Sequence, residues 1–245
     1  GRYKNVGRFG SRSQRTANRC FNWIRKVMAW AELHERIPRN PCRVLRFEEP
    51  PVIKVFYTEQ EVEAIKAELG PYYGKWADFA ALTGFRWSEQ FLMEKPWVVE
   101  MVANGARHLT VHLPKTKARK PQIRILRTEA QTLLRALMAA SPSPVYIFPG
   151  IRDHSKPMNH GTWYTKIFRP AAARARIHLS REAGKTWHTL RKTWTSTLRI
   201  NGVDSLDIQE LGGWSGLDMV RYYGSVTADH LQRMVNAASK IREQA

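Results

Sequence analysis

Between Trp97 and Leu126 the spacing of apolar residues falls from the three-to-four of the flanking sequence to two. His108-Leu109-Thr110-Val111-His112-Leu113 and Gln122-Ile123-Arg124-Ile125-Leu126 alternate, separated by Pro114-Lys115-Thr116-Lys117-Ala118-Arg119-Lys120-Pro121. Successive side chains of an extended chain point to opposite faces, so this island reads as a hairpin with a positively charged tip. The sequence around it has helical period. Helices are expected at 14–33, from Thr58 through Leu69, at 72–83 ending on Gly84, from Arg86 towards Glu94, and at 129–139, 160–175, 188–200, 205–211, 216–223 and 228–243. Thr58-x-x-Glu61 and Thr128-x-x-Gln131 have capping-box spacing. The expected class is mainly α, formally α+β, with a small antiparallel β-sheet or hairpin.

Pro50-Pro51 interrupts this pattern, because neither residue donates a backbone hydrogen bond and each holds its predecessor extended. Three regions are expected: a helical region at 1–47, a linker at 48–57 and a second domain at 58–245. Residues 1–50 carry twelve Lys or Arg against four Glu, and the whole chain has a net charge of +19 and a pI near 10.4. Such a field calls for a polyanionic partner. In the helix at 14–33, Ala17, Cys20, Phe21, Ile24, Val27, Met28 and Ala31 recur at three and four, leaving an Arg-rich outer face.

A hydrophobic content of 43% with nine Trp, nine Phe and eight Tyr supports a sizeable core and excludes a disordered basic tail. Two distant cysteines, Cys20 and Cys42, exclude a disulfide framework or zinc finger and fit a reducing cytoplasm. Apolar runs such as Val98-Val99-Glu100-Met101-Val102 are too short to cross a membrane. The chain opens on Gly1 in a basic run, as expected of a fragment whose natural N-terminal part is missing.

Several local patterns carry chemistry, and each alone has an ordinary explanation. Arg86 and Glu89 share a helix face at i,i+3, where most such pairs are weak surface ion pairs. His188 and Arg191 repeat the spacing, as do His178–Arg181 and His230–Arg233. Lys115 at a hairpin tip is ordinarily a solvated charge, Trp214 after Gly212-Gly213 an anchor in a small core, and Tyr223 beside Tyr222 a packing residue.

Their order is more specific than any one of them. Arg86-x-x-Glu89, a hairpin Lys, His188-x-x-Arg191, Gly212-Gly213-Trp214, then Tyr223 nine residues past the Trp: in that order the sequence resembles the tyrosine recombinase or phage integrase family. The resemblance runs from about residue 13 and includes the helix followed by Asn40-Pro41. It selects His188, since His230 lies beyond the tyrosine. It implies a helical core-binding fragment that clamps DNA and a mostly helical catalytic domain. The chemistry implied is cleavage and rejoining of DNA through a 3′-phosphotyrosyl bond, without metal, nucleotide or cofactor.

By the same resemblance Tyr223 is the nucleophile, Arg86 and Arg191 compensate charge on the phosphate, Lys115 protonates the leaving oxygen, His188 serves the tyrosine proton and Trp214 donates to phosphate. The roles suit the residue types, because two planar guanidinium forks offer bidentate compensation for the spreading negative charge. Glu89, an anion, is expected behind the site, orienting His188 or an Arg. Lys117 and Lys120 compete with Lys115, and Tyr222 with Tyr223; the Lys-Thr pair after the strand and the nine-residue step favour Lys115 and Tyr223. Arg15, Arg19, Arg25, Lys26, Lys117, Arg119, Lys120 and Lys192 are expected DNA contacts.

The implied partners are double-stranded DNA attachment sites, a homotetramer assembled on them in which the segment 228–245 (Leu231, Met234, Val235) couples neighbours, and accessory DNA-bending proteins. The implied setting is a phage, prophage or genomic island in a prokaryotic cytoplasm, at the nucleoid. Two other readings use the same charge: a DNA-binding regulator without catalysis, and a relative of type IB topoisomerases.

Overall fold

The computed structural model describes residues 14–42, 48, 55–103, 105–114, 121–179 and 185–224, without the side chains of Arg15 and Ala103. The chain divides into two compact units, Gly1–Ile53 and Lys54–Ala245. No helix among the described residues is long and apolar enough to cross a membrane.

In the first unit, helix α1 spans Gln14–Leu33. Asn40 folds back on it, donating from Nδ2 to the Arg25 carbonyl at 3.2 Å and accepting the Cys42 N–H at 2.8 Å. Ile24 and Val27, expected on the buried face, are exposed, as are Trp23 and Trp30. Among the described residues of this unit no second helix covers them.

The second unit begins with the Thr58 cap. Its hydroxyl accepts the Glu61 N–H at 3.2 Å and the Glu61 carboxylate accepts the Thr58 N–H at 2.9 Å, so the expected capping box forms. Helix α2, Glu59–Thr83, joins two expected helices through a kink at Gly70-Pro71. Short α3 (Trp87–Phe91) leads through a 3₁₀ turn, Lys95–Trp97, into a sheet of β1 (Val98–Ala103), β2 (Ala106–Leu113) and β3 (Gln122–Ile125), antiparallel in that order. Helix α4, Thr128–Ala140, follows. The expected Thr128/Gln131 capping box is replaced: Gln131 accepts the Leu109 N–H and donates to the Leu126 carbonyl, both at 2.8 Å, which ties α4 to β2.

The stretch expected as one helix at 160–175 is α5 (His160–Thr162), a π-helical segment (Trp163–Phe168) and α6 (Arg169–Arg174). Then come α7 (Thr189–Ile200), α8 (Ser205–Gly212) and α9 (Leu217–Tyr223). The helix expected at 228–243 lies outside the described residues. The result is the mainly helical class with a small antiparallel sheet that the sequence implied.

The core is aromatic. Trp76 of α2 stacks on Trp163 at 5.1 Å, and Phe91, Phe148 and Trp187 pack edge-on or tilted around them. A smaller cluster of Ile208, Trp214, Val220 and Tyr223 joins α8 to α9. In β2, Leu109, Val111 and Leu113 face the core. In β3 the alternation runs the other way, with Ile123 and Ile125 exposed and Arg124 only 5% exposed.

Candidate active site

Gly84 ends α2 in the left-handed conformation (φ 62°), which an L side chain resists, and a Cβ there would collide with the Trp194 ring of α7. This close approach brings the Gly84 carbonyl to Arg191 of α7, which donates to it from Nη1. Two residues past Gly84, Arg86 caps α3; Glu89 accepts its backbone N–H at 2.8 Å and pairs with its guanidinium. One turn of α3 therefore holds Arg86 and Glu89 together, and one turn of α7 aligns His188 with Arg191.

The third contributor is the α8–α9 corner. Gly213 ends α8 with φ 61°, and Arg191 donates from Nη2 to the carbonyl of Gly212 at 2.7 Å. Trp214 follows, and its ring stacks on Tyr223, the last residue of α9, at 5.4 Å and 19°. The Arg191 guanidinium lies 4.7 Å from the Trp214 ring centre and 5.9 Å from that of Tyr223. His188 Nε2 is hydrogen-bonded to the Tyr223 hydroxyl at 3.0 Å. Tyr223 is 8% exposed, whereas Tyr222 is 43% exposed.

Charge is unevenly balanced in this cluster. Burial would raise the Glu89 carboxyl, but Arg86, Arg124, Arg191 and the Arg86 N–H outweigh it and hold Glu89 below the ordinary carboxylate range. Burial, then Arg191, Lys192 and Arg86, pull His188 down to about 4, so at neutral pH the imidazole is uncharged and able to accept a proton. Burial raises the Tyr223 phenol, with Arg191 and Arg86 opposing it. Trp214 Nε1 and Arg191 Nε are buried and have no hydrogen-bond partner among the described residues.

The structure thus brings Arg86, His188, Arg191, Trp214 and Tyr223 together around buried Glu89, whose charged neighbours are Arg86, Arg124 and Arg191. The sequence alone does not single out Arg124. Its only local sign was a basic residue at one position of an alternating strand, which reads as solvent-facing. Lys192 is half-buried, and its ammonium is pulled down by burial. In the first unit Arg19, Arg25 and Lys26 are exposed, with Lys26 over the Trp23 ring at 5.4 Å. Lys115, Lys117, Arg119 and Lys120 lie outside the described residues, as does the Arg15 side chain. Among the described residues no group of three or more His, Cys, Asp or Glu is placed to hold a metal ion.

The sequence profile described as the phage integrase family matches residues 56–230, which contain every residue of this cluster. The chain belongs to that family. A 45-residue stretch is 44% identical to the integrase of Salmonella phage P22, covering 18% of this chain and 12% of that protein. Several solved structures share the fold. The Tn1549 transposon integrase in complex with circular intermediate DNA superimposes with a TM-score of 0.67 at 16% identity, over 93% of this chain and 80% of that one. XerA recombinase gives 0.60 at 17% identity, over 92% and 83%, and a lambda integrase dimer bound to a COC′ core site gives 0.66 at 18%, over 86% and 59%. The chain thus has the integrase-family fold, and in it the starts of α3 and α7 and the α8–α9 corner meet at Arg191.

Proposed function

We propose that this integrase-family member is a site-specific DNA recombinase of a mobile element, in which Tyr223 is the nucleophile. The observation that carries the reading is the 3.0 Å hydrogen bond between a neutral His188 and the Tyr223 hydroxyl, made beside Arg191. A phenol attacks phosphate only with help in losing its proton, and an uncharged imidazole at hydrogen-bond distance is the group that takes it.

In the proposed step Tyr223 Oη bonds to phosphorus as the P–O5′ bond breaks. The phenolic proton passes to His188 Nε2, and Lys115 gives a proton to the departing 5′ oxygen. Arg86, Arg191 and the Trp214 N–H face the non-bridging oxygens, where negative charge develops in the transition state. The second strand's 5′-hydroxyl then reverses the step, attacking the phosphotyrosine and releasing Tyr223. Glu89 touches the guanidiniums and not the phosphate. In this reading both units bind the duplex, four copies act at paired attachment sites with DNA-bending partners, and the reaction takes place in the prokaryotic cytoplasm.

The test is a nicked suicide duplex carrying the end sequence of the encoding element, incubated with the full chain in EDTA. A covalent adduct is expected in which the protein is joined through the scissile phosphate to a DNA 3′ end, lowered at least about a hundredfold by Arg191→Ala. Specific binding of that duplex with no adduct from the unaltered chain would instead identify a DNA-binding regulator on this scaffold.

A further inference from the structure

The catalytic cluster holds a third guanidinium whose place the chemistry above leaves unexplained. Arg124 of β3 is 5% exposed and donates from Nη2 to the Gly212 carbonyl at 2.8 Å, the same oxygen that Arg191 reaches at 2.7 Å. That Nη2 also lies 3.6 Å from Glu89. Nε and Nη1 of Arg124 are buried without a hydrogen-bond partner among the described residues. Two residues earlier on the same face of the strand, the Gln122 side chain occupies the space where a Cβ on Gly213 would be. Strand β3 thus presses two polar side chains onto the Gly212-Gly213 turn that precedes Trp214.

Stability alone does not account for Arg124. Glu89 already pairs with Arg86 and lies 3.8 Å from Arg191, and the Gly212 carbonyl is already bonded by Arg191. Removing Arg124 would leave no acceptor orphaned, and would relieve a buried cation of its desolvation and of repulsion from Arg86. What Arg124 adds is geometric. A carbonyl oxygen has two acceptor directions, and with both filled by guanidiniums the Gly212 oxygen is fixed against Arg191 and, two residues on, so is the Trp214 ring lying 4.7 Å from that guanidinium.

We infer that Arg124, with Gln122 as its neighbour on the turn, is a positioning residue that sets Arg191 and Trp214 for the scissile phosphate. The inference rests on the recombinase reading above and names a residue that reading does not require. Arg124 touches no reacting atom. It acts through Arg191, so its effect belongs to the cleavage rate and not to DNA affinity or folding.

The experiment compares the full chain with Arg124→Leu, Arg124→Lys, Arg191→Lys and the Arg124→Leu/Arg191→Lys pair on the suicide duplex. Single-turnover adduct rate, DNA Kd and melting temperature are read for each. Arg124→Leu should slow the adduct tenfold or more, with Kd within threefold and a melting temperature unchanged or raised. Arg124→Lys, which keeps the charge and a donor, should fall between Leu and the unaltered chain. In the Arg191→Lys background the Leu change should cost less than threefold, because the partner it positions is already altered. Cleavage by Arg124→Leu within threefold of the unaltered chain overturns the inference, as does a slowing matched by a fall in melting temperature or repeated in full on Arg191→Lys. No adduct from the unaltered chain is a different outcome, since it rejects the recombinase reading itself.

Discussion

His188 sits between a phenol and three cations, Arg86, Arg191 and Lys192, and is largely shielded from water, which is why its proton affinity drops to about 4. That has a consequence for stability as well as chemistry. An unfolded chain takes up a proton on this imidazole below the ordinary value of 6.5, while the folded chain does not until about 4. Stability linked to His188 is therefore complete above 6.5 and lost as pH falls towards 4, by up to about 3 kcal/mol. Denaturant midpoints at pH 7.5 and 5.0 should fall further for the unaltered chain than for His188→Gln, which cannot take up the proton. Equal falls would mean that the buried neutral imidazole is not the state of the free protein. The same neighbourhood explains the difference between the two adjacent tyrosines: only Tyr223 lies under the Trp214 ring with its hydroxyl on His188, while Tyr222 turns outward.

Two helix ends, at Gly84 and Gly213, bring the distant parts of the site together. Each is left-handed and each faces a side chain of another element, Trp194 and Gln122 respectively. Gly213→Ala should cost more than about 1 kcal/mol by thermal or denaturant unfolding, since the new methyl is strained by φ and meets Gln122. Gly216→Ala is the control: its φ is extended and nothing lies within 4 Å of the added atom, so it should stay within about 0.5 kcal/mol. Equal losses at both positions would contradict the packing described. At this scale most helices could be read from their period and caps, as at Thr58, and the alternation of β2 and β3 was plain. Strand β1 was not, because Val98-Val99-Glu100-Met101-Val102 is nearly continuous in apolar character and lacks an alternating signature. Arg124 was hidden for a related reason: alternation reveals two faces but not which is buried, and the acid that draws this guanidinium inward, Glu89, lies on another element. Gln131 likewise abandons its capping position for a strand only the fold brings near.

Across the whole molecule, a net charge of +19 on 245 residues sets the terms of any association with DNA. Binding should weaken roughly tenfold or more for each fourfold rise in salt, as counterions displaced from several phosphates return. Fluorescence titration at three salt concentrations checks this, and a salt-independent Kd would remove the electrostatic footing of the proposed partner. The order of chemical groups along the chain was legible because the residues that cluster lie on separate elements, at helix starts and a helix end that the sequence pattern marks. The fold converts that order into one cluster, in which Glu89 lies against Arg86, Arg124 and Arg191 and the phenol sits at the end of α9. The central claim, that Tyr223 forms the covalent bond to DNA, has a direct measurement: adduct formation on the suicide duplex by the unaltered chain, Tyr223→Phe and Tyr222→Phe, with tandem mass spectrometry of the crosslinked peptide. Tyr223→Phe should bind the duplex with unchanged affinity and form no adduct, while Tyr222→Phe retains the adduct and the peptide carries its nucleotide on Tyr223. An adduct that survives Tyr223→Phe would contradict the account.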